Sequence, residues 1–108
     1  MDEREFMAAA DAELARIEAA LDLASDSGVA DFDFETKPGG VIEIEFDKGS
    51  KIILNRHGAA KEIWLAAKSG GYHFRPEGGR WLGTRDGEEL LAALSRTMTE
   101  QAGVSITL

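Results

Sequence analysis

Residues 41–74, VIEIEFDKGSKIILNRHGAAKEIWLAAKSGGYHF, decide the fold. Ile42, Ile44 and Phe46 alternate with Glu43 and Glu45, and Asp47-Lys48-Gly49 then makes a short loop. Lys51–Asn55 follows, then a loop over 56–61, then Glu62–Ala67, a Ser69-Gly70-Gly71 turn and Tyr72–Arg75. A period of two marks strands with one buried face. Connections this short join antiparallel neighbours. Working outward, Ala30, Phe32 and Phe34 alternate with Asp31, Asp33 and Glu35 and stop at Pro38-Gly39-Gly40. On the other side, Pro76–Gly79 reads as a turn and Arg80–Gly83 as a short sixth strand.

Outside this region the period changes. From residue 3 to about 24, Phe6, Ala10, Leu14, Ile17, Leu21 and Ala24 recur at steps of three and four in an alanine-rich stretch, which predicts a helix ending at Ser25–Gly28. A second helix is predicted from near Asp86, where Asp86 and Glu89 have the spacing of a capping box. Leu90, Leu91, Leu94 and Met98 are its apolar stripe and Gly103 its stop. The tail is expected to lay Val104, Ile106 and Leu108 over the core. With no helix between the strands, the fold class is α+β: a two-layer α/β sandwich in one domain over 1–108. An antiparallel six-stranded sheet is packed on one face by the N- and C-terminal helices.

Charge is distributed unevenly along this chain. Residues 1–35 hold eleven acids against two bases, so the whole formal charge of −8 lies in the first third. A field of one sign attracts cations or a basic partner and repels nucleic acid and anionic membrane. The bases are scattered, which argues against nucleic-acid binding. There are no cysteines, which excludes disulfides, thiolate metal sites and a cysteine nucleophile. No apolar run approaches the roughly 20 residues of a membrane span, and the acidic start MDEREF is the reverse of a signal peptide. A cytoplasmic protein is expected. His57 and His73 have no zinc-site spacing, and no P-loop, GxGxxG or nucleophile motif is present, so a non-enzyme is expected.

Two features can carry function. On the first helix Asp11, Glu18 and Asp22 fall within about 40° of one another at the helical period. Beside the outward acids of the first strand they would form a carboxylate ridge able to hold hard cations weakly, since open carboxylates are not a preformed cage. The alternative is a solvated face that keeps the domain soluble. In EIWLAA, Trp64 takes the strand face opposite Ile63 and Leu65. It is either an exposed partner anchor or, if the strand is turned over, a core residue. Trp81 reads as a packing residue.

The runs GSKIILNR (49–56), IWLAAKSGGYHF (63–74) and DGEELLAAL (86–94) resemble the frataxin family in its bacterial branch, and the likeness extends over nearly the whole chain. That resemblance implies the same sandwich and an iron-binding regulator of iron–sulfur cluster assembly. It implies weak surface binding of ferrous or ferric iron, other divalent cations substituting, through Asp11, Glu18, Asp22, Asp26, Asp31 and Asp33. It also implies docking of the ridge and the open sheet, through Asn55 and Trp64, on the cysteine desulfurase and its scaffold protein. A monomer is expected without metal. The alternatives are an iron chaperone or store, a slow iron-oxidising protein, or an adaptor that uses no metal. Ala19, Leu23 and Ala24 stand where relatives often place acids or polar groups and Met7 where a histidine could ligate, which lowers the expected iron capacity. His57 stands where relatives favour glutamine.

Overall fold

The computed structural model describes all 108 residues, Met1–Leu108. Helix α1 (Glu3–Asp26) opens on a capping box: the Asp2 carboxylate accepts from the Glu5 N–H, and the Glu5 side chain reaches back to the Asp2 N–H. Six strands follow: β1 (Phe32–Lys37), β2 (Val41–Phe46), β3 (Lys51–His57), β4 (Glu62–Ala67), β5 (Gly70–Glu77) and β6 (Arg80–Gly83). Helix α2 (Leu90–Ala102) closes the order, ending at Gly103 in the left-handed conformation. Each strand pairs antiparallel with the one before it, giving a meander in the order β1 to β6 with β1 and β6 as edges. The fold class expected from the alternating pattern is the one observed.

The period-two residues Phe32, Ile42, Ile44, Phe46, Ile52, Leu54, Ile63, Leu65 and Phe74 are all buried. They meet Phe6, Ala10, Leu14, Ile17 and Leu21 of α1 and Leu90, Ala93, Leu94 and Met98 of α2 in one cluster. Trp81 is buried with them and meets the Phe6 ring edge-on at 6.0 Å. Gln101 locks the end of α2 to two turns. Its amide donates to the Ser50 hydroxyl and the Lys51 carbonyl, and its oxygen accepts from the Lys68 N–H.

Four expectations are corrected. Helix α2 begins at Leu90, not near Asp86: the Asp86 carboxylate accepts locally from the Glu88 N–H, and Leu82 bridges to Glu89, so 84–89 is a loop. Competing for backbone groups outside a helix is what Asp does readily. Helix α1 runs to Asp26, beyond Ala24. Strand β5 continues through Pro76 to a two-residue Gly78-Gly79 turn, both at positive φ, because β4 pairs with β5 only as far as Phe74 and asks nothing of the missing Pro76 N–H. In the tail, Ile106 is buried but Val104 is exposed. The segment is held by Thr99, whose hydroxyl donates to the Ile106 carbonyl and accepts from its N–H, and by the Ser95 hydroxyl under the Leu108 N–H.

Glu13 is the buried acid on α1, beside a cleft of about 260 Å³ where Ala9, Ala12 and Arg16 face Pro76 and Trp81. Burial pushes its carboxyl up. Arg16, 3.2 Å away, opposes this and Glu89 adds to it. A folded state that holds this proton more tightly than the unfolded chain loses stability as pH rises from the unfolded value through the raised one. Glu13→Gln, which keeps the shape and removes the charge that burial disfavours, is therefore expected to stabilise the domain at neutral pH. In acid the two proteins should converge. Urea melts across pH check this, and a variant less stable than wild type at pH 7 would refute it.

Candidate metal-binding and docking surface

The helices cover one face of the sheet and leave the other open. Because Phe32 and Phe34 pack toward the helices, the alternate residues Asp31, Asp33 and Glu35 are exposed on the other face. Register then sets Asp33 opposite Glu45 and Glu35 opposite Glu43. Glu43 is neutralised in place: Lys37 Nζ and Lys51 Nζ donate to it at 2.8 and 3.1 Å, and these hydrogen bonds hold its carboxyl below the usual range. Toward the other end of the strands, Asp31, Asp33, Glu45 and Asp47 line a shallow depression of about 530 Å³ floored by Phe32, Phe46 and Gly49. Glu45 and Asp47 are additions that the sequence pattern did not single out. Their membership depends on the β1–β2 register.

The helix acids are arranged differently. Asp11, Glu18, Asp22 and Asp26 are all exposed. Asp11 is engaged, however, because Arg56 reaches from β3 and donates to its carboxylate. Arg56 fits only because residue 40 is glycine. A Cβ there would stand 2.8 Å from the Arg56 Cβ, and φ is +76°. Nowhere do three His, Asp or Glu side chains converge to hold a metal ion. The acids thus fit weak, diffuse attraction of hard oxygen-seeking cations and do not fit a closed coordination sphere.

The middle of the open face carries a different chemistry. Asn55, Trp64 and His73 are direct lateral neighbours on β3, β4 and β5. Ile63 and Leu65 are fully buried beneath, so Trp64 lies half-buried on the open side. Its indole is stacked between two imidazoles, His57 at 3.9 Å and 11° and His73 at 4.4 Å and 6°. The indole Nε1–H donates to Glu62 Oε1 at 2.8 Å, and Arg75 Nε–H donates to Glu62 Oε2 at 2.8 Å. Burial pushes the Glu62 carboxyl up. The hydrogen bonds from Trp64 and Arg75 and the Arg75 charge outweigh it, leaving the group lower than usual. Glu62 escaped the sequence reading because an acid two residues from a tryptophan looks like any outward strand position.

Residues 1–104 match the family model of the frataxin-like domain. The chain belongs to the frataxin family. It is 55% identical over 108 residues to the iron-sulfur cluster assembly protein CyaY of Dechloromonas aromatica, covering all of this chain and 99% of the relative. It is 50% identical over 107 residues to the protein of the same name from Cupriavidus taiwanensis, covering 99% and 96%. Among solved structures, the frataxin of Psychromonas ingrahamii superposes with a TM-score of 0.80 at 26% identity, covering 99% of this chain and 97% of that one. Trimeric yeast frataxin complexed with ferrous iron superposes with a TM-score of 0.75 at 26% identity, covering 88% and 86%. No helix of this frataxin is long and apolar enough to cross a membrane.

Proposed function

We propose that the protein is a non-enzymatic, iron-responsive regulator of iron–sulfur cluster assembly that docks on the cysteine desulfurase and scaffold complex in the cytoplasm. The observation that carries this reading is the uncovered sheet face, acidic along β1 and β2 and aromatic at Trp64. The acids attract a basic surface over distances of about a Debye length, roughly 8 Å at physiological ionic strength, and raise the rate of encounter. The half-buried tryptophan supplies contact energy once the partner arrives. Ferrous iron is cargo or signal here, held weakly by Glu18, Asp22, Asp26, Asp31 and Asp33, with Asp11 at the margin because Arg56 already partners it. Binding iron reduces the field that draws the partner in. The names of the CyaY relatives and the ferrous complex of yeast frataxin support this reading.

Calorimetry with purified desulfurase, at low and high salt and with and without ferrous iron, tests it. Glu18→Lys with Asp22→Lys is expected to weaken docking about tenfold at low salt, mostly through slower association, with the loss fading near 0.5 M salt. These two positions are preferred to Asp11, where a lysine would also face Arg56. Equal affinity of variant and wild type at low salt would remove the ridge from the interface.

A further inference from the structure

Glu62 is the anomaly of the open face. Its side chain is 7% exposed on a surface otherwise open to solvent. A buried carboxylate needs partners to offset its desolvation, and these partners converge from three directions. Trp64 Nε1 and Arg75 Nε each donate to it at 2.8 Å, and His73 Nδ1 lies 3.3 Å from the oxygen that Trp64 uses. His57, on the far side of the indole, is itself held by the Ala60 N–H, which donates to His57 Nδ1 at 3.2 Å. The indole is therefore covered on both faces and bonded at its single polar atom. Only ring edges remain for a partner to meet. A tryptophan standing alone on a sheet would have to be ordered on binding, and that ordering subtracts from affinity.

We infer that Glu62 is a positioning residue for Trp64: with His57 and His73 as side walls, its carboxylate sets the indole in its docking orientation before the partner arrives. This rests on the reading of Trp64 as the docking anchor. It also narrows the complementary surface on the partner to an apolar slot that admits the edge of a ring, flanked by groups that accept or donate to imidazole edges. Arg75 holds Glu62 ionised and oriented, so the device is a relay from Arg75 through Glu62 to Trp64.

The test uses the full chain labelled at the two tryptophan indoles, with the Trp64 signal identified by its loss in Trp64→Phe. Glu62→Ala is expected to speed exchange of the Trp64 Nε1 proton with water by about tenfold or more, the effect of one charge-assisted hydrogen bond. It is also expected to weaken desulfurase binding about tenfold while adding nothing in a Trp64→Ala background. Glu62→Gln keeps the shape and one acceptor and should fall between. It carries the comparison if the alanine variant fails to fold. Unchanged exchange at Trp64 in Glu62→Ala overturns the inference. So does a loss of binding that is as large in Trp64→Ala as in wild type, since Glu62 would then touch the partner itself. Wild-type binding by Trp64→Ala overturns the docking reading, whereas the exchange of the Trp64 Nε1 proton is compared between wild type and Glu62→Ala, both of which keep the indole, so failure of the clamp and failure of the docking reading are distinguishable.

Discussion

Trp64→Ala is expected to leave the folded spectrum intact, to lower the melting temperature less than loss of the core tryptophan Trp81 does, and to weaken docking on the cysteine desulfurase about 30-fold or more. The size follows from the cost of truncating an aromatic hot spot, about 2 kcal/mol or above. The separation of the two effects follows from position. Trp64 is not part of the core cluster, and the residues beneath it, Ile63 and Leu65, are buried by the helices without its help. What it loses on the free protein is contact with His57, His73 and Glu62, all on the open face. Stacked pairs of this kind contribute about 0.5–1.5 kcal/mol each, an upper bound here because the imidazoles can re-solvate. Calorimetric titration alongside a thermal melt decides the matter. Binding within twofold of wild type would exclude the aromatic patch from the interface, and a collapsed melt would mean that the patch belongs to the fold.

The second large effect falls on the other tryptophan and takes the opposite form. Trp81→Ala should cost about 3–5 kcal/mol of stability, a large share of the 5–15 kcal/mol typical of a domain, and lower the melting temperature by roughly 15 °C or more. Trp81 is 4% exposed and wedged edge-on against Phe6, so its removal opens a cavity between the start of α1 and β6. A loss below about 1 kcal/mol would show that this seam collapses onto the smaller side chain. Any docking defect in this variant should scale with the unfolded fraction, and it should disappear at temperatures where the protein is fully folded.

Contrasting fates for two tryptophans show how far the sequence could be read. Alternation alone placed Ile63 and Leu65 on one face and Trp64 on the other, but which face met the helices depended on how the neighbouring strands were turned. Phe32, Ile42, Ile44 and Leu54 share the buried face with Ile63 through the register and settle it. Strands were legible because each is short and bounded by turn residues and because β1 and β2 alternate apolar with acidic residues, whereas β3 and β4 carry the apolar runs Ile52–Leu54 and Ile63–Leu65, whose faces only the register assigns. The start of α2 was not, because Asp86 and Glu89 carry capping chemistry into a loop whose backbone is closed instead by the Gly83–Glu88 and Gly83–Gly87 hydrogen bonds. For the surface, the composition located the acids, but their grouping needed pairing information. Asp31 and Asp33 line a depression with Glu45 and Asp47, and Asp11 is drawn to Arg56. The clamp around Trp64 joins three strands through Asn55–Trp64, Trp64–His73 and His57–Glu62 pairings. No linear spacing encodes such a lateral row.

The meander order of the sheet has a kinetic consequence. Every strand finds its partner across the adjoining turn, so each pairing closes a short loop and loses little chain entropy. The β4–β5 and β5–β6 connections need only Lys68-Ser69 and Gly78-Gly79. The expensive closure is left to the seating of α1, whose Phe6 must come back from one end of the chain to meet Trp81 near the other. Slow assembly is usually blamed on sheets, whose contacts are distant in sequence. In this chain the sheet is the local part and the Phe6–Trp81 seam is the long-range one, so the helix finding that seam is expected to be the slow search.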